Sequence, residues 1–307
     1  MKKTIIFILL LIFIPFFIAI IYNRNYKEIK LKYINTTYIR VKRISTNTVD
    51  TMPLEEYIVG VLAGEMPIDF EIEALKAQAV ASRSYALKRI EYNKDKEYDV
   101  VDSIMNQVYL DDNYLHEAWK NNYVKNINKL RSVVNSTIDE YLSYDDKVID
   151  AMFFSTSNGY TEDSGNIFNF TVPYLVSVES PWDKEVSSAY LTSKNINLTD
   201  FYKKLNIPYS KNLNIEIEKR STTNRILLLK INNIEFKGTD VYKLLSLKST
   251  DFTIELKGDY VTITTVGYGH GVGMSQYGAL GMAKKGYTYK EILNHYYQNS
   301  KLMKIKN

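Results

Sequence analysis

Apolar side chains recur at helical spacing in two neighbouring stretches of this 307-residue chain. Residues 53–63 predict a first helix, because their apolar positions lie three or four residues apart. These positions are Leu54, Ile58, Val61 and Leu62. Residues 70–86 form an alanine-rich pattern that predicts a second helix. Gly64 and Pro67 predict a sharp break between the two, since glycine relaxes the backbone and proline disfavours helix at the preceding residue.

Further along the chain, the patterns predict a mixture of helices and short strands. Helical spacing covers residues 113–140, 199–205, 239–246 and 275–285. Strand-like runs cover residues 38–44, 148–154, 174–178, 225–231, 253–257 and 260–265. This mixture predicts an α+β fold. We expect residues 23–50 to form a juxtamembrane linker and the first strands, residues 51–300 to form the main domain, and about 190–260 to be an inserted α+β region.

The N-terminus predicts a membrane anchor over residues 1–22. An apolar run from Ile5 to Ile21, interrupted only by Pro15, follows two lysines and is at the lower limit for spanning a bilayer. No small-residue cleavage site follows it, so we expect an uncleaved anchor with the rest of the chain exported. A cleaved signal peptide is the alternative. Basic residues flank the run on both sides, and a long C-terminal domain can still be translocated.

Composition excludes several classes of function. The net charge of +4 is mild and does not indicate a nucleic-acid-binding protein. Cysteine is absent, which excludes disulfides, thiol catalysis and thiolate metal sites. The three histidines are far apart in the sequence, so a zinc site is not favoured. We therefore expect no metal and no cofactor.

One acidic residue, Glu65, lies at the break between the two predicted helices. Its neighbours Val61, Met66 and Phe70 are apolar, and such surroundings raise the pKa of a carboxyl group. A glutamic acid that stays protonated near neutral pH can act as a general acid. The alternative is that Glu65 only caps the second helix. Other glutamates of these helices are expected to be solvated: Glu55, Glu56, Glu71 and Glu73.

A glycine-rich motif, residues 267–279, follows a predicted strand and precedes a predicted helix. Its spacing does not match a dinucleotide-binding loop, because Gln276 occupies the third glycine position, and no Gly-Lys-Ser/Thr is present. We expect the glycines to allow close backbone approach, either to a ligand or to the helices around Glu65. The polar side chains His270, Ser275 and Gln276 are candidates for binding a polysaccharide.

Several long segments together resemble the stage II sporulation protein D family, which includes the amidase-enhancer relatives. The resemblance covers roughly residues 40 to 300. The matching segments are residues 53–58, Gly64-Glu65-Met66-Pro67, residues 73–86, 153–162, 173–183, 267–279 and 286–297. The serine-rich segment departs from the family pattern, since Ser157-Asn158-Gly159 contains one glycine where two are usual. Neither this change nor Ser82, where alanine is common, alters the acid at position 65.

The resemblance implies a membrane-anchored lytic transglycosylase of peptidoglycan with Glu65 as its acid. The family's arginine in the alanine-rich helix falls on Arg83, which would bind a substrate carboxylate, orient Glu65 or form a structural ion pair. Ser155, Ser157 and Tyr160 are candidates for bonding sugar hydroxyls or acetamides. The family also implies action during engulfment of the forespore. Its expected partners are glycan strands without stem peptides, a cell-wall amidase and a polytopic membrane protein.

Three other functions remain open at this point. A wall-binding module could activate a partner amidase without catalysis of its own. A hydrolase would need a second carboxylate near Glu65, such as Glu162 or Asp163, because most glycosidases use a pair. A Ser-His-Asp acyl hydrolase is the weakest alternative, since the chain has no Gly-x-Ser-x-Gly motif around a nucleophile.

Overall fold

The structure, a computed structural model, describes residues 13–15, 17, 27–33, 36–168 and 170–305. The helices are α1 (Leu54–Glu65), α2 (Ile72–Tyr92), α3 (Asp112–Trp119), α4 (Tyr123–Ser136), α5 (Ser164–Ile167), α6 (Asp183–Val186), α7 (Leu198–Leu205), α8 (Gly238–Leu244), α9 (Gln276–Lys284) and α10 (Tyr289–Tyr296). The longer strands are β1 (Tyr38–Lys42), β2 (Val49–Pro53), β4 (Glu140–Tyr144), β7 (Leu191–Asn197), β8 (Ile215–Arg220), β9 (Ile226–Ile231), β10 (Ile234–Lys237), β11 (Phe252–Lys257), β12 (Tyr260–Val266) and β14 (Lys301–Lys304). The two-residue strands are β3 (Val100–Val101), β5 (Lys147–Val148), β6 (Phe153–Phe154) and β13 (Met274–Ser275).

The described residues form a mixed α+β architecture with five small sheets. Their strand orders are β2-β1-β3, β14-β4-β5, β13-β6, β10-β9-β8 and β11-β12-β7. Most pairs are antiparallel, but β13 runs parallel to β6, which joins the C-terminal glycine-rich motif to the middle of the chain.

The main hydrophobic core surrounds α2, which packs against α1, α4, α9, α10 and β4. Small side chains make this central position possible. The buried alanines of α2 let neighbouring helices approach closely without leaving voids. They are Ala74, Ala77, Ala79, Ala81 and Ala86, each fully buried. The sequence pattern of residues 70–86 is therefore that of a helix covered on nearly every side.

A second hydrophobic core lies between Leu198 and Ile263 in the sequence. Helix α7 contributes Phe201 and Leu205, strand β9 contributes Leu229, and helix α8 contributes Val241. These side chains pack together on their own and not into the core around α2. This part of the chain is therefore a separately packed α+β unit.

Most of the predicted elements are present, and three differ for physical reasons. The pattern over residues 113–140 splits into α3 and α4, because Lys120 adopts a positive φ of 47° and interrupts the helix. The strand predicted over residues 148–154 is divided between β5 and β6. Residues 174–178 form no strand, although their alternating pattern favours one, and only Glu179 makes an isolated bridge.

Most of the predicted anchor over residues 1–22 lies outside the described residues. Within the described part of the chain, no helix is both long and apolar enough to cross a bilayer.

Candidate active site

Glu65 is the last residue of α1 and lies at a tight contact with a distant segment of the chain. Met66 leaves the helix with φ −128° and ψ 137°, as expected for a residue before proline. Beside it, a Cβ atom built on Gly64 would lie 2.5 Å from the carbonyl oxygen of Val108. Only glycine allows the segment around Val108 to approach the end of α1 so closely.

This close approach gives Glu65 its hydrogen bonds. The backbone N–H of Val108 donates to one carboxyl oxygen at 2.6 Å, and the amide nitrogen of Gln276 lies 3.4 Å from the other. Burial raises the pKa of Glu65 above its usual value, and these two hydrogen bonds oppose the rise in part. The N-cap position of α2 is Glu71, so Glu65 does not cap this helix. Glu65 is instead a half-buried carboxyl group whose pKa is raised by burial.

Apolar side chains shield one side of Glu65 from water. Met66 and Phe70 are buried, and the ring of Phe70 meets the ring of Tyr277 edge-on at 5.1 Å between centroids. The Lys129 ammonium group, from α4, donates to the carbonyls of Ile68 and Phe70, both at 2.7 Å. Lys129 thus holds the link between α1 and α2 at two of its carbonyl groups.

The short parallel pair β6–β13 brings Gln276 to this site. Ser275 caps α9, since its side-chain oxygen accepts the N–H of Gly278, and Gln276 begins the helix. The backbone N–H of Tyr277 donates to the carbonyl of Ser155 at 3.0 Å. Ser155, a predicted site residue, therefore lies beside Gln276 and is half-buried. Gln276 is brought to Glu65 in this way, and Ser155 lies beside Gln276.

The buried carboxylate of Asp183, which the sequence pattern did not identify as a site residue, fixes the start of α9. Asp183 accepts hydrogen bonds from the N–H of Ser157 at 2.8 Å, from the hydroxyl of Ser180 at 2.6 Å and from the hydroxyl of Ser275. Burial raises its pKa, and these donors oppose that rise. Asp183 thus fixes the cap of α9 and, through it, the position of Gln276. The sequence offers only a weak signal, a Pro-Trp-Asp stop after an apolar run.

The arginine of the alanine-rich helix is buried inside the protein. Arg83 is fully buried and forms a two-pronged ion pair with Glu55, with distances of 2.8 and 2.6 Å. Its third nitrogen atom donates to the carbonyl of Glu140 at 3.0 Å. Of the roles that the sequence left open, the geometry supports a structural ion pair. The expectation that Glu55 is solvated is wrong, because its side chain is 4% exposed.

Three further predicted residues have internal partners. Ser157 and Ser275 are fully buried and bond to Asp183. The Nδ1 atom of His270 accepts the N–H of Val272 at 3.1 Å, and burial lowers the pKa of the ring to about 4. The geometry therefore supports a structural role for all three and not direct contact with a ligand. Tyr160 is 45% exposed, and its role in binding stays a prediction.

The glycine-rich motif packs mainly against the segment around β6. Gly273 has φ +81°, and a Cβ atom there would lie 1.9 Å from the carbonyl oxygen of Met152. Of the two close approaches predicted for this motif, the structure thus shows backbone crossing, but the partner is the β6 segment and not α1 or α2. The motif contributes to the site by carrying Gln276 into place.

The second carboxylates considered for a hydrolase have partners elsewhere. Glu162 is fully buried and accepts from the hydroxyls of Ser221 and Thr223, at 2.5 Å for Ser221. Asp163 caps α5 by accepting the N–H of Gly165 at 2.8 Å. Neither carboxylate is free to activate a water molecule beside Glu65.

The family model of the stage II sporulation protein (SpoIID) matches residues 42–144, which include Glu65 and Val108. Stage II sporulation protein D of Bacillus amyloliquefaciens is 40% identical over 265 residues, or 85% of this chain and 77% of that protein. The chain belongs to the stage II sporulation protein D family.

Two further relatives show how far this similarity extends. Stage II sporulation protein D of Bacillus subtilis (strain 168) is 40% identical over 269 residues, or 86% of this chain and 78% of that protein. An amidase enhancer of the same organism is 27% identical over 297 residues, covering 79% of this chain but only 40% of that longer protein. The similarity to the sporulation proteins thus extends well beyond the family model, over more than four fifths of this chain.

Proposed function

We propose that this protein is a peptidoglycan lytic transglycosylase that acts during sporulation, with Glu65 as its acid and base. The observation that carries the proposal is the environment of Glu65. Its carboxyl group is half-buried, its pKa is raised, and Val108 and Gln276 hold it in one orientation. Family membership supports a role in sporulation, and the raised pKa supports acid catalysis near neutral pH.

The proposed reaction needs only one carboxyl group. Protonated Glu65 donates its proton to the glycosidic oxygen between N-acetylmuramic acid and N-acetylglucosamine, and the bond to C1 of the muramic sugar breaks. The N-acetyl group helps to stabilise the positive charge that develops on the sugar. The Glu65 carboxylate then takes the proton from the C6 hydroxyl of the same sugar, whose oxygen bonds to C1. The products are a 1,6-anhydro end and a free hydroxyl on the leaving sugar.

The neighbours of Glu65 favour this course over hydrolysis. The Val108 N–H and the Gln276 amide stabilise the carboxylate that forms after proton donation. Met66, Phe70 and Tyr277 exclude water from one side, and water is the competing nucleophile. With Glu162 and Asp163 engaged by other partners, a second carboxylate is not needed in the mechanism.

The location and partners follow from the same proposal. A membrane anchor over residues 1–22 would hold the catalytic domain outside the cytoplasm, facing the cell wall. The substrate is the glycan strand, with stem peptides removed beforehand by a partner amidase. A polytopic membrane protein would complete the assembly during engulfment. The amidase-enhancer relative, by its name, is consistent with a working relationship between this fold and an amidase.

The same relative supports one second candidate, a wall-binding module that activates an amidase without cleaving glycan. The candidates make opposite predictions for Glu65→Gln, which removes the acid but keeps the size of the side chain. Wild type and variant are incubated with glycan strands stripped of stem peptides, and the products are read by mass spectrometry. The transglycosylase predicts 1,6-anhydro ends from wild type alone. Amidase stimulation that persists in both proteins, with no glycan cleavage, would support the module instead.

A further inference from the structure

A short segment just after the predicted anchor lies in an extended conformation along one face of α4. We call residues 27–32 the strap. The strap is largely exposed, although Leu31 is partly buried against the main core. Most of its hydrogen bonds with α4 join side chains of the helix to main-chain atoms of the strap.

Two asparagines of α4 each make a pair of bonds with the strap. Asn128 accepts the N–H of Ile29 at 2.7 Å and donates to the carbonyl of Lys27 at 2.9 Å. Asn135 accepts the N–H of Lys32 at 2.8 Å and donates to the carbonyl of Lys30 at 3.1 Å. Each side-chain amide therefore bonds to the strap's main chain as a neighbouring β-strand would. Pairing of this kind is a common way to bind extended peptides.

The spacing of the two asparagines matches an extended chain. Seven residues of helix advance about 10.5 Å and return nearly to the same face. On the strap, the two clamped positions are residues 28 and 31, and three residues of extended chain span about 10 Å. The agreement lets both asparagines bind at once without strain. A helix with these residues six or eight apart would lose one of the two contacts.

A charged contact between the two clamps fixes the register. Arg131 lies between the asparagines and pairs with the carboxylate of Glu28 at 2.8 Å, and it also donates to the carbonyl of Ile29 at 3.3 Å. Next to the strap, the hydroxyl of Tyr33 donates to Glu56 of α1, and burial together with this bond raises the pKa of Tyr33 to about 12. The asparagine pairs alone would accept many sequences, whereas the ion pair selects an acidic residue at one position.

We propose that Asn128, Arg131 and Asn135 form a binding site for an extended segment, that the strap is its occupant, and that the docked strap holds the catalytic site close to the membrane. This inference rests on the anchor in the proposed function. Four residues, 23–26, separate the predicted anchor from the strap, and a chain of that length reaches at most about 14 Å.

Helix α4 also contacts the active site, so the limited distance between the strap and the membrane limits the position of Glu65 as well. Lys129, the residue after Asn128, holds the link between α1 and α2 that follows Glu65. The strap and the active site therefore contact the same part of one helix, whose diameter is about 10 Å. Adding this, together with the three residues that lead back from Ile68 to Glu65, to the short tether places Glu65 within about 35 Å of the bilayer. The enzyme would then cleave only the glycan nearest the membrane.

The first test uses the three lysines of the strap as sites for a lysine-specific endoproteinase, which does not cleave at Arg24 in the tether. The full chain is reconstituted in vesicles with its domain outside, and the release of the domain by this protease is timed. Asn128→Ala/Asn135→Ala should release at least about ten-fold faster than wild type, since opening of the strap limits cleavage. The matched control Asn122→Ala/Asn126→Ala changes two nearby asparagines with no described bond to the strap and should stay within about two-fold.

A strap-side variant protects this test against misfolding. Glu28→Gln cannot disturb the interior of α4 and adds no cleavage site, and it removes the ion pair with Arg131, so it should also speed release. Equal release rates for wild type, the double variant and Glu28→Gln would overturn the proposed site.

The second test measures the distance to the membrane. Because the chain has no native cysteine, Asp69→Cys gives one labelling position in the link after Glu65. Energy transfer from a dye there to acceptors in the lipid headgroups should be strong with the native strap. It should fall when Asn128→Ala/Asn135→Ala is added. Unchanged transfer would contradict the restriction. Neither test measures glycan cleavage. Both results are therefore independent of whether the protein has the proposed activity.

Discussion

The role of Arg83 offers a sharp test, because the sequence left a substrate role and a structural role open. The proposed perturbation is Arg83→Met, which keeps much of the side-chain volume and removes the charge. In the structure this leaves the Glu55 carboxylate buried without its partner and frees the carbonyl of Glu140. If Arg83 has a structural role, Arg83→Met should lower the stability of the fold, and activity should fall only because the protein unfolds.

The magnitude follows from the burial of both partners. Breaking a fully buried ion pair from one side costs about 3–5 kcal/mol, because the remaining charge is uncompensated. Domains are stable by only about 5–15 kcal/mol, so the loss is a large fraction of the total. Replacing both partners by apolar residues is often nearly neutral. Arg83→Met/Glu55→Met should therefore recover about 2 kcal/mol or more relative to Arg83→Met alone.

Urea unfolding followed by circular dichroism measures these differences on a soluble fragment of residues 25–307. The exposed pair Lys257–Glu255 supplies the control, and Lys257→Met should cost less than about 0.5 kcal/mol. The reasoning would be refuted if Arg83→Met unfolded at the wild-type urea concentration yet bound glycan strands more weakly. That result would return Arg83 to the substrate site.

Three more predictions concern the carboxyl groups around the active site. The pKa of Glu65 is raised above its usual value of 4.5, so the charged carboxylate destabilises the folded protein at pH 7. Glu65→Gln should therefore melt at a higher temperature than wild type at pH 7. This difference should disappear below about pH 4, where the carboxyl group is protonated in both the folded and the unfolded protein. Gln276→Ala removes a donor that stabilises the carboxylate, so the alkaline limb of the pH–activity profile should move to higher pH; a shift to lower pH would contradict the proposed contact. Asp183→Ala removes the shared acceptor of three buried donors, which retain other partners at Ser275, Ser155 and Tyr296, and should destabilise the protein by about 1–3 kcal/mol, measured by urea unfolding, with Asp183→Asn milder.

The sequence was most informative where the structure is local. The helix pair around Glu65 has the period, the glycine and the proline that define it, and α1 and α2 are present within a few residues of the predicted bounds. Glu65 itself was recognisable because an acid next to a helix break with apolar neighbours is locally unusual. These features need no knowledge of distant parts of the chain.

The parts that could not be predicted depend on contacts between distant residues. Val108 donates to Glu65 across 43 positions, and nothing in the polar run that contains Val108 indicates this. Ser157 and Ser275 resemble exposed loop residues, yet both turn inward to Asp183. The sequence pattern predicts that Glu55 lies on a polar, solvated helix face. Only the fold shows that Arg83 forms an ion pair with it. Pairing across the chain decides the role of each of these residues.

Residues 174–178 show the opposite case, in which a local pattern predicts an element that the fold does not form. Their alternation favours a strand, but strand formation also needs a neighbouring edge, and the described backbone provides only a single bridge at Glu179. The strap is a related case, because its extended conformation depends on two asparagines about one hundred residues away.

The most direct test of the central claim asks where the new oxygen at C1 comes from. Glycan strands stripped of stem peptides are cleaved by the wild-type protein in water enriched in oxygen-18, with Glu65→Gln in parallel. The account predicts 1,6-anhydro-muramic ends that carry no oxygen-18, since the C6 hydroxyl of the same sugar is the nucleophile, and no products from the variant. Reducing ends labelled with oxygen-18 would show that water attacks C1, and the transglycosylase mechanism would be contradicted.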